Sequence, residues 1–311
     1  MTDTILAIAG GLVLLGLGGE ALVRGAVGIA AMLRLSTMVT GVVIVGAATS
    51  MPELVASVQA AMEGSPGIAW GNIVGSNIAN TLLILGATAL IAPFALTGAG
   101  KRDAISGFAA VAVLGALAFA GWGSLALGIA LLAALTIYIV WRVKHPRKSD
   151  AQATSAEEEA PPPKPVASIA FFAIGLAMLV LGGNWLVTGA IDLARIIGIS
   201  EAAIGLTVVA IGTSLPELAA SLVAAWRGQA QLALGNVVGS NVFNLLLIGG
   251  VTMLLAPQPI PRELLRPEWV VLGASALALV LLCAFARNMP RWLGALFVLA
   301  FGANTAFVLA A

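Results

Sequence analysis

Residues 48–57 read "ATSMPELVAS", and a near-copy, "GTSLPELAAS", stands at 212–221. Each stretch sets a glutamate, a proline and several hydroxyls inside a run otherwise apolar enough to cross a bilayer. An acidic side chain at the centre of a spanning helix costs about 2.5–3.5 kcal/mol on insertion scales. Two such charges at matching places therefore require something to neutralise them.

The surrounding composition makes the bilayer the solvent. Of 311 residues, 60% are hydrophobic and only 9% are charged, far from the balance of a soluble domain. A spanning helix needs about 20 mostly apolar residues, and the chain divides into ten such stretches: 4–29, 38–62, 67–92, 104–121, 124–141, 167–191, 202–225, 231–256, 268–286 and 291–310. The runs are continuous rather than alternating in polarity, which predicts helices and not a β-barrel. The expected fold is an all-α membrane protein. A formal net charge of +1 leaves no basic surface suited to nucleic acid. If the N-terminus faces outward, every Lys and Arg except Arg195, Arg262 and Arg266 falls on the inner side. The positive-inside rule then predicts a multi-pass plasma (inner) membrane protein with both termini outside and the loop at 142–166 cytoplasmic. The first span has no basic lead and is too long for a cleavable signal, so it is expected to remain. Cys283 is the only cysteine, which excludes a disulfide or thiolate metal site within one chain.

Sliding the sequence by 164 positions superimposes 11–93 on 175–257 without a gap, and about half of the pairs from Ser36 to Pro93 are identical. "GLGGEALVRGA" (16–26) meets "VLGGNWLVTGA" (180–190), and "GNIVGSNIANTLLILG" (71–86) meets "GNVVGSNVFNLLLIGG" (235–250). Five spans per half is an odd number, so the second half enters the membrane in the opposite sense. Such an inverted repeat places a transporter's site near the midplane between its halves. The predicted organisation is a first repeat over 1–141, a linker over 142–166 and a second repeat over 167–311. The linker, "RVKHPRKSDAQATSAEEEAPPPKPV", is too polar and proline-rich to bury a core. It holds the only histidine, His145, which reads as solvated. The acidic triplet Glu157 to Glu159 lacks the glycine and ligand spacing of an EF-hand.

Proline removes an N–H and clashes with the carbonyl four residues back, so the helices around Ala48 and Thr49, and at the second copy, are expected to break. Freed carbonyls beside hydroxyls and a carboxylate make a hard-cation site. Thr49 and Glu53 share a helix face, as do Ser76 and Asn80. Thr213 with Glu217 and Ser240 with Asn244 repeat the pattern. All of these donors are oxygens, which points to Na⁺, Ca²⁺ or Mg²⁺. Two buried glutamates repel each other until a cation or a proton arrives, and a divalent cation neutralises the pair. The blander reading makes them interhelical glue; the duplication, the prolines and the hydroxyls weigh against it. Glu20 reads as a structural or gating residue paired with Arg24 four positions on, because its repeat partner is Asn184. The small residues of "GGLVLLGLGG" and "AIGLAMLVLGG" predict close packing or a smooth sliding face in spans 1 and 6. Trp141, Trp226, Trp269 and Trp292 fall near span ends, as interfacial anchors do.

"GAATSMPEL" with "GNIVGSNIAN", and "AIGTSLPEL" with "GNVVGSNVFN", resemble the two alpha-repeats of the cation/calcium exchanger superfamily, in particular its prokaryotic sodium/calcium exchanger-like members. The resemblance extends over essentially the whole chain, with alpha-1 at 41–93 and alpha-2 at 205–257. It implies ten transmembrane helices in two inverted five-helix repeats. It also implies cation ligands from Thr49, Ser50, Glu53 and Asn80 with the Gly46 carbonyl and Ser76, and from Thr213, Ser214, Glu217 and Asn244 with the Ala210 carbonyl and Ser240. Many relatives, the potassium-dependent branch among them, carry aspartate at the position of Asn244. The amide keeps an oxygen and drops a charge, which argues against potassium dependence.

The expectation is a secondary antiporter, not an enzyme, that exchanges Ca²⁺ for Na⁺ with no cofactor. The lipid bilayer is its surroundings and a monomer the simplest form. A H⁺/Ca²⁺ or other cation/proton antiporter would follow ΔpH instead. A passive cation channel would need no counter-ion. For an intramembrane enzyme the chain has no membrane histidine or HExxH, which removes the usual serine and zinc hydrolases and leaves only an aspartyl-type protease built on two carboxylates as a remote alternative.

Overall fold

The computed structural model describes residues 2–96, 98–145, 165–196, 210–261 and 268–310. They form helix α1 (Thr2–Leu33), α2 (Thr37–Thr49), α3 (Met51–Met62), α4 (Pro66–Ile91), α5 (Lys101–Phe119), α6 (Leu125–Lys144), α7 (Pro165–Ile196), α8 (Leu215–Trp226), α9 (Ala230–Leu255), α10 (Glu268–Phe285) and α11 (Arg291–Ala310). A one-turn helix, Ala210–Gly212, precedes α8. The two-residue strands β1 (Phe94–Ala95) and β2 (Asn288–Met289) pair antiparallel and tie the two halves together. Among the described residues eight helices are long and apolar enough to cross a membrane, or nine when α2 and α3 count as one bent span. The first part of the predicted span 202–225, the acidic triplet and most of the linker lie outside the described residues.

Helices α1 and α7 run several residues beyond the predicted 4–29 and 167–191. They pack antiparallel through glycines spaced seven apart on each: Gly11, Gly18 and Gly25 against Gly175, Gly182 and Gly189. A Cβ on Gly25 would lie 2.3 Å from the Phe172 nitrogen, and one on Gly175 2.3 Å from the Leu22 nitrogen. Backbone meets backbone here, so no larger residue fits. Of the two readings of the small-residue patterns, close packing describes the contact of these helices with each other.

A second close approach joins the halves. In α9, a Cβ on Gly235 would lie 2.7 Å from the Met38 carbonyl oxygen, and one on Gly239 2.4 Å from that of Val42. This seats α9 along α2. The main apolar core gathers Trp70, Ile73 and Leu85 of α4, Val238 and Ile248 of α9, and Leu272 and Leu279 of α10.

Among the described residues three stretches wind as π-helix: Gly41–Val45 in α2, Ala79–Ile84 in α4 and Asn244–Ile248 in α9. Such bulges turn side chains out of the ordinary α register and cluster at functional positions. One tryptophan departs from the anchor reading. Trp141, Trp226 and Trp292 are exposed near helix ends, but Trp269 is buried, because Gly115 on α5 leaves room for its indole.

Candidate functional site

The break expected at the first proline is present. Helix α2 ends at Thr49, Ser50 takes φ −78° and ψ 3°, and α3 restarts at Met51, turned by 42°. The prolines themselves sit at helix starts: Pro52 opens α3 and Pro216 opens α8 after the turn at Ser214. A proline in a first turn loses no hydrogen bond, so the chain stops before it and begins again. That puts Glu53 and Glu217 in first turns, where unpaired N–H groups favour a carboxylate.

Both glutamates are almost wholly buried, each 1% exposed. Each faces hydroxyls of the opposite half. Ser214 Oγ donates to Glu53 Oε1 at 3.0 Å and lies 3.5 Å from Ser76 Oγ. Thr213 also faces Glu53, and Thr49 and Ser50 face Glu217. The two carboxylates are within electrostatic reach of each other. Gly46 is present as expected, but its carbonyl oxygen already accepts from the Ser50 N–H at 3.2 Å and Ser240 Oγ at 3.4 Å. An ion reaches that oxygen only by displacing one of them. Ala210 begins the single turn ahead of the second break. Asn80 and Asn244 are buried within the π segments of α4 and α9. The segment of Asn80 packs against α8, which carries Glu217, and that of Asn244 against α3, which carries Glu53.

Enclosed polar atoms without any hydrogen-bond partner gather on these same residues. They include Ser50 Oγ, Glu53 Oε2, both oxygens of Glu217, and the side-chain amides of Asn80 and Asn244. Leaving a buried polar atom unpaired costs about 1–3 kcal/mol, more when it is charged. Their concentration at the two helix breaks and the π segments facing them is unlike a settled core, where buried polar atoms are paired.

Asn72 and Asn236, 164 positions apart, were quoted in the repeat motifs without a role. Asn72 Nδ2 donates to the Glu53 carbonyl at 3.1 Å and to Ser57 Oγ at 2.9 Å, while its Oδ1 lies 3.5 Å from Thr213 Oγ1. Asn236 does the same for the other break, at 3.3 Å from the Glu217 carbonyl and 2.9 Å from Ser221 Oγ, with Thr49 Oγ1 3.1 Å from its Oδ1. Each asparagine holds one helix restart in place and reaches a threonine of the other half. The signal was available: an amide kept at both copies of an apolar span needs a buried partner.

Beside the site lies a cavity of about 460 Å³. Asn72, Ser76 and Thr213 line it, and so do Glu268, Asn304 and Val308. Glu20 differs from expectation in having a second partner: it accepts from Arg24 on its own helix and from Arg227 beyond the end of α8.

The family model described as "Sodium/calcium exchanger protein" matches residues 4–144 and 167–310. The chain is 38% identical over 299 residues to the putative antiporter CaxA of Alkalimonas amylolytica, covering 94% of both chains. It is 32% identical to the inner membrane protein YrbG of Escherichia coli, covering 79% of this chain and 78% of that one. The sodium/calcium exchanger MaX1 of Methanosarcina acetivorans is 29% identical, with 94% of this chain and 95% of that one covered. Among solved structures, the sodium-calcium exchanger NCX_Mj, soaked without Na⁺ and Ca²⁺, superimposes with a TM-score of 0.85 at 31% identity and covers 99% of each chain.

Proposed function

The chain belongs to the sodium/calcium exchanger family, whose members are transporters rather than enzymes, and from that premise we propose that it exchanges Ca²⁺ for Na⁺ by alternating access through a midplane site built on Glu53 and Glu217. The observation that carries the reading is the set of enclosed, unpartnered oxygens on Ser50, Glu53, Asn80, Glu217 and Asn244. Thr49, Thr213, Ser76, Ser214 and Ser240 complete an all-oxygen surround, with the carbonyls of Gly46 and Ala210 beside them. Such donors suit hard cations.

The physics of coupling follows from shared ligands. One Ca²⁺, or several Na⁺, neutralises the two carboxylates. Empty, they are like charges in a medium that screens poorly, so closing the site over them is costly. The loaded transporter changes face and the empty one resists, which yields exchange rather than leak. Asn244 contributes an amide oxygen without charge, leaving the neutralising work to the two glutamates. The layout that goes with this reading is ten spans in two inverted repeats, 1–141 and 167–311, joined by a cytoplasmic linker at 142–166, with both termini outside.

The test is ⁴⁵Ca²⁺ uptake into proteoliposomes driven separately by Na⁺, K⁺ and H⁺ gradients. Uptake following the Na⁺ gradient, lost in Glu53→Gln and in Glu217→Gln, is the expected result. Uptake that follows ΔpH instead would replace Na⁺ with H⁺ as counter-ion, and activity surviving in both variants would sink the site.

A further inference from the structure

The two halves each begin their fourth helix with an acid, and the two acids meet different company. In the first half it is Asp103, in the first turn of α5 and 1% exposed. It accepts from Arg142 Nε and from Tyr138 Oη, both at 2.8 Å and both on α6. In the second half it is Glu268, in the first turn of α10. The helix that answers α6 is α11. Their register is fixed by two glycines: a Cβ on Gly128 of α6 would lie 2.8 Å from the Gly250 carbonyl oxygen, and one on Gly294 of α11 2.6 Å from that of Gly86. Gly86 and Gly250 are repeat partners. In that register Tyr138 corresponds to Asn304 and Arg142 to Val308.

The second half has therefore kept the acid and replaced its cation. Glu268 is half-buried, and its Oε2 is enclosed with no hydrogen-bond partner. It stands in the wall of the cavity that Asn72, Ser76 and Thr213 also line, and no basic side chain is among the described residues lining that cavity. Asn304 and Thr305 stand in the same wall. The Thr305 hydroxyl gives its proton to the Phe301 carbonyl at 3.0 Å, so its lone pairs are left for an electropositive ligand. A carboxylate oxygen enclosed without a partner is costly, and none of the described residues lining the cavity supplies a positive charge to it.

We propose that Glu268, with the side-chain oxygens of Asn304 and Thr305, is a second, weaker station for hard cations in the wall of the cavity that leads to the Glu53–Glu217 site. Its role as a feeder rests on the antiporter reading. One carboxylate with two neutral oxygens holds a divalent ion too loosely to store it. It does concentrate cations where they enter, and charged clefts with low-dielectric walls raise encounter rates by about 10- to 1000-fold.

Two measurements test it. Glu268→Gln is expected to raise KM for Ca²⁺ added on the cavity side roughly tenfold at low ionic strength, with the maximal rate retained and the effect shrinking as salt is added. Val308→Arg restores to the second half the arginine of the first and should raise KM in the same way. In purified protein carrying Glu53→Gln and Glu217→Gln, Tb³⁺ luminescence excited through the neighbouring Trp269 should persist and be lost on adding Glu268→Gln. An unchanged KM in Glu268→Gln, or Tb³⁺ emission indifferent to that substitution, overturns the station. A wild-type protein that carries no Ca²⁺ flux would instead overturn the antiporter reading, and the Tb³⁺ measurement would still decide the station on its own.

Discussion

Glu20 on α1 and Asn184 on α7 are repeat partners, and their surroundings differ in a way that the duplicated motifs do not. At the Glu20 end, α1 lies against α8: a Cβ on Gly19 would sit 2.8 Å from Val223 Cγ2 and 3.2 Å from the Ala219 carbonyl oxygen. Arg227, just past α8, reaches across to Glu20. At the other end the partner glycine, Gly183, meets nothing among the described residues nearer than Leu215 at 3.8 Å. The partners of Arg24 and Arg227 are Thr188 and Glu63, which offer Asn184 no cation. Ala56 of α3, the helix that ends before Glu63, lines the cavity. The copied motifs keep the same contacts in both halves, whereas the residues that diverged around them make the Glu20 end close-packed and the Asn184 end loosely packed.

The strongest way to break this comparison is to attack what both ends share. Gly25→Leu or Gly175→Leu drives a side chain into the backbone of the opposite long helix, at a place where even a Cβ would lie 2.3 Å from a main-chain nitrogen. Overpacking costs about 1–3 kcal/mol where side chains can give way, and more where they cannot. The expected result is a large fall in the thermal midpoint of purified protein for both variants. A glycine off this seam, Gly16, has no atom of the described residues near its missing Cβ, so Gly16→Leu should leave the midpoint nearly unchanged. Equal losses at Gly16 and Gly25 would show that the seam is not the reason.

A finer probe compares Asn236 with Asn72. The two make the same bonds, but Asn236 is 1% exposed while Asn72 lines the cavity. Asn236→Leu removes the second donor to the Glu217 carbonyl and takes the Asn236 amide from the buried Ser221 hydroxyl, at about 1–3 kcal/mol for a buried polar group left unpaired. In Asn72→Leu the matching groups can turn to water in the cavity, so the loss should be smaller. Measuring both by chemical or thermal unfolding checks the order, and an equal loss would mean that the cavity does not hydrate that wall.

How much of this was legible in the sequence follows the same division. The helix break near Thr49 and the burial of Glu53 and Glu217 could be read, because local chemistry fixes each: proline forbids one conformation, and a duplicated carboxylate in an apolar span needs company. The sequence paired each glutamate with the threonine of its own half, whereas in the fold each faces the hydroxyls of the other half. The π segments at Gly41–Val45, Ala79–Ile84 and Asn244–Ile248 left no trace in composition, since one extra residue in a helical turn does not alter the apolar pattern. The burial of Trp269 depended on a glycine more than a hundred positions earlier, Gly115. The second partner of Glu20 depended on a contact spanning 207 positions. Sequence periodicity speaks for one helix at a time, and these features belong to pairs of helices that meet only in the fold.

The smallest expected effect tests the close-packed Glu20 end most directly. Glu20 and Arg227 are partly exposed, at 24% and 45%, so removing their ion pair should cost about 0–1 kcal/mol of stability, close to the limit of a melting experiment. An equilibrium between shut and open ends reads the same energy differently, because 1 kcal/mol is roughly a fivefold change in population. Arg227→Gln should therefore leave the thermal midpoint in place while raising the fraction of molecules open at the Glu20 end, as measured by distance labels on α1 and α8. Screening the pair with high salt should produce the same shift in the wild type and none in the variant. The converse construction is Asn184→Glu with Glu63→Arg, which installs the missing pair at the open end and should favour closure there. If both changes leave the populations where they were, the contact of Gly19 with Val223 and Ala219, and not the charges, holds that end shut, and Gly19→Leu becomes the substitution that opens it.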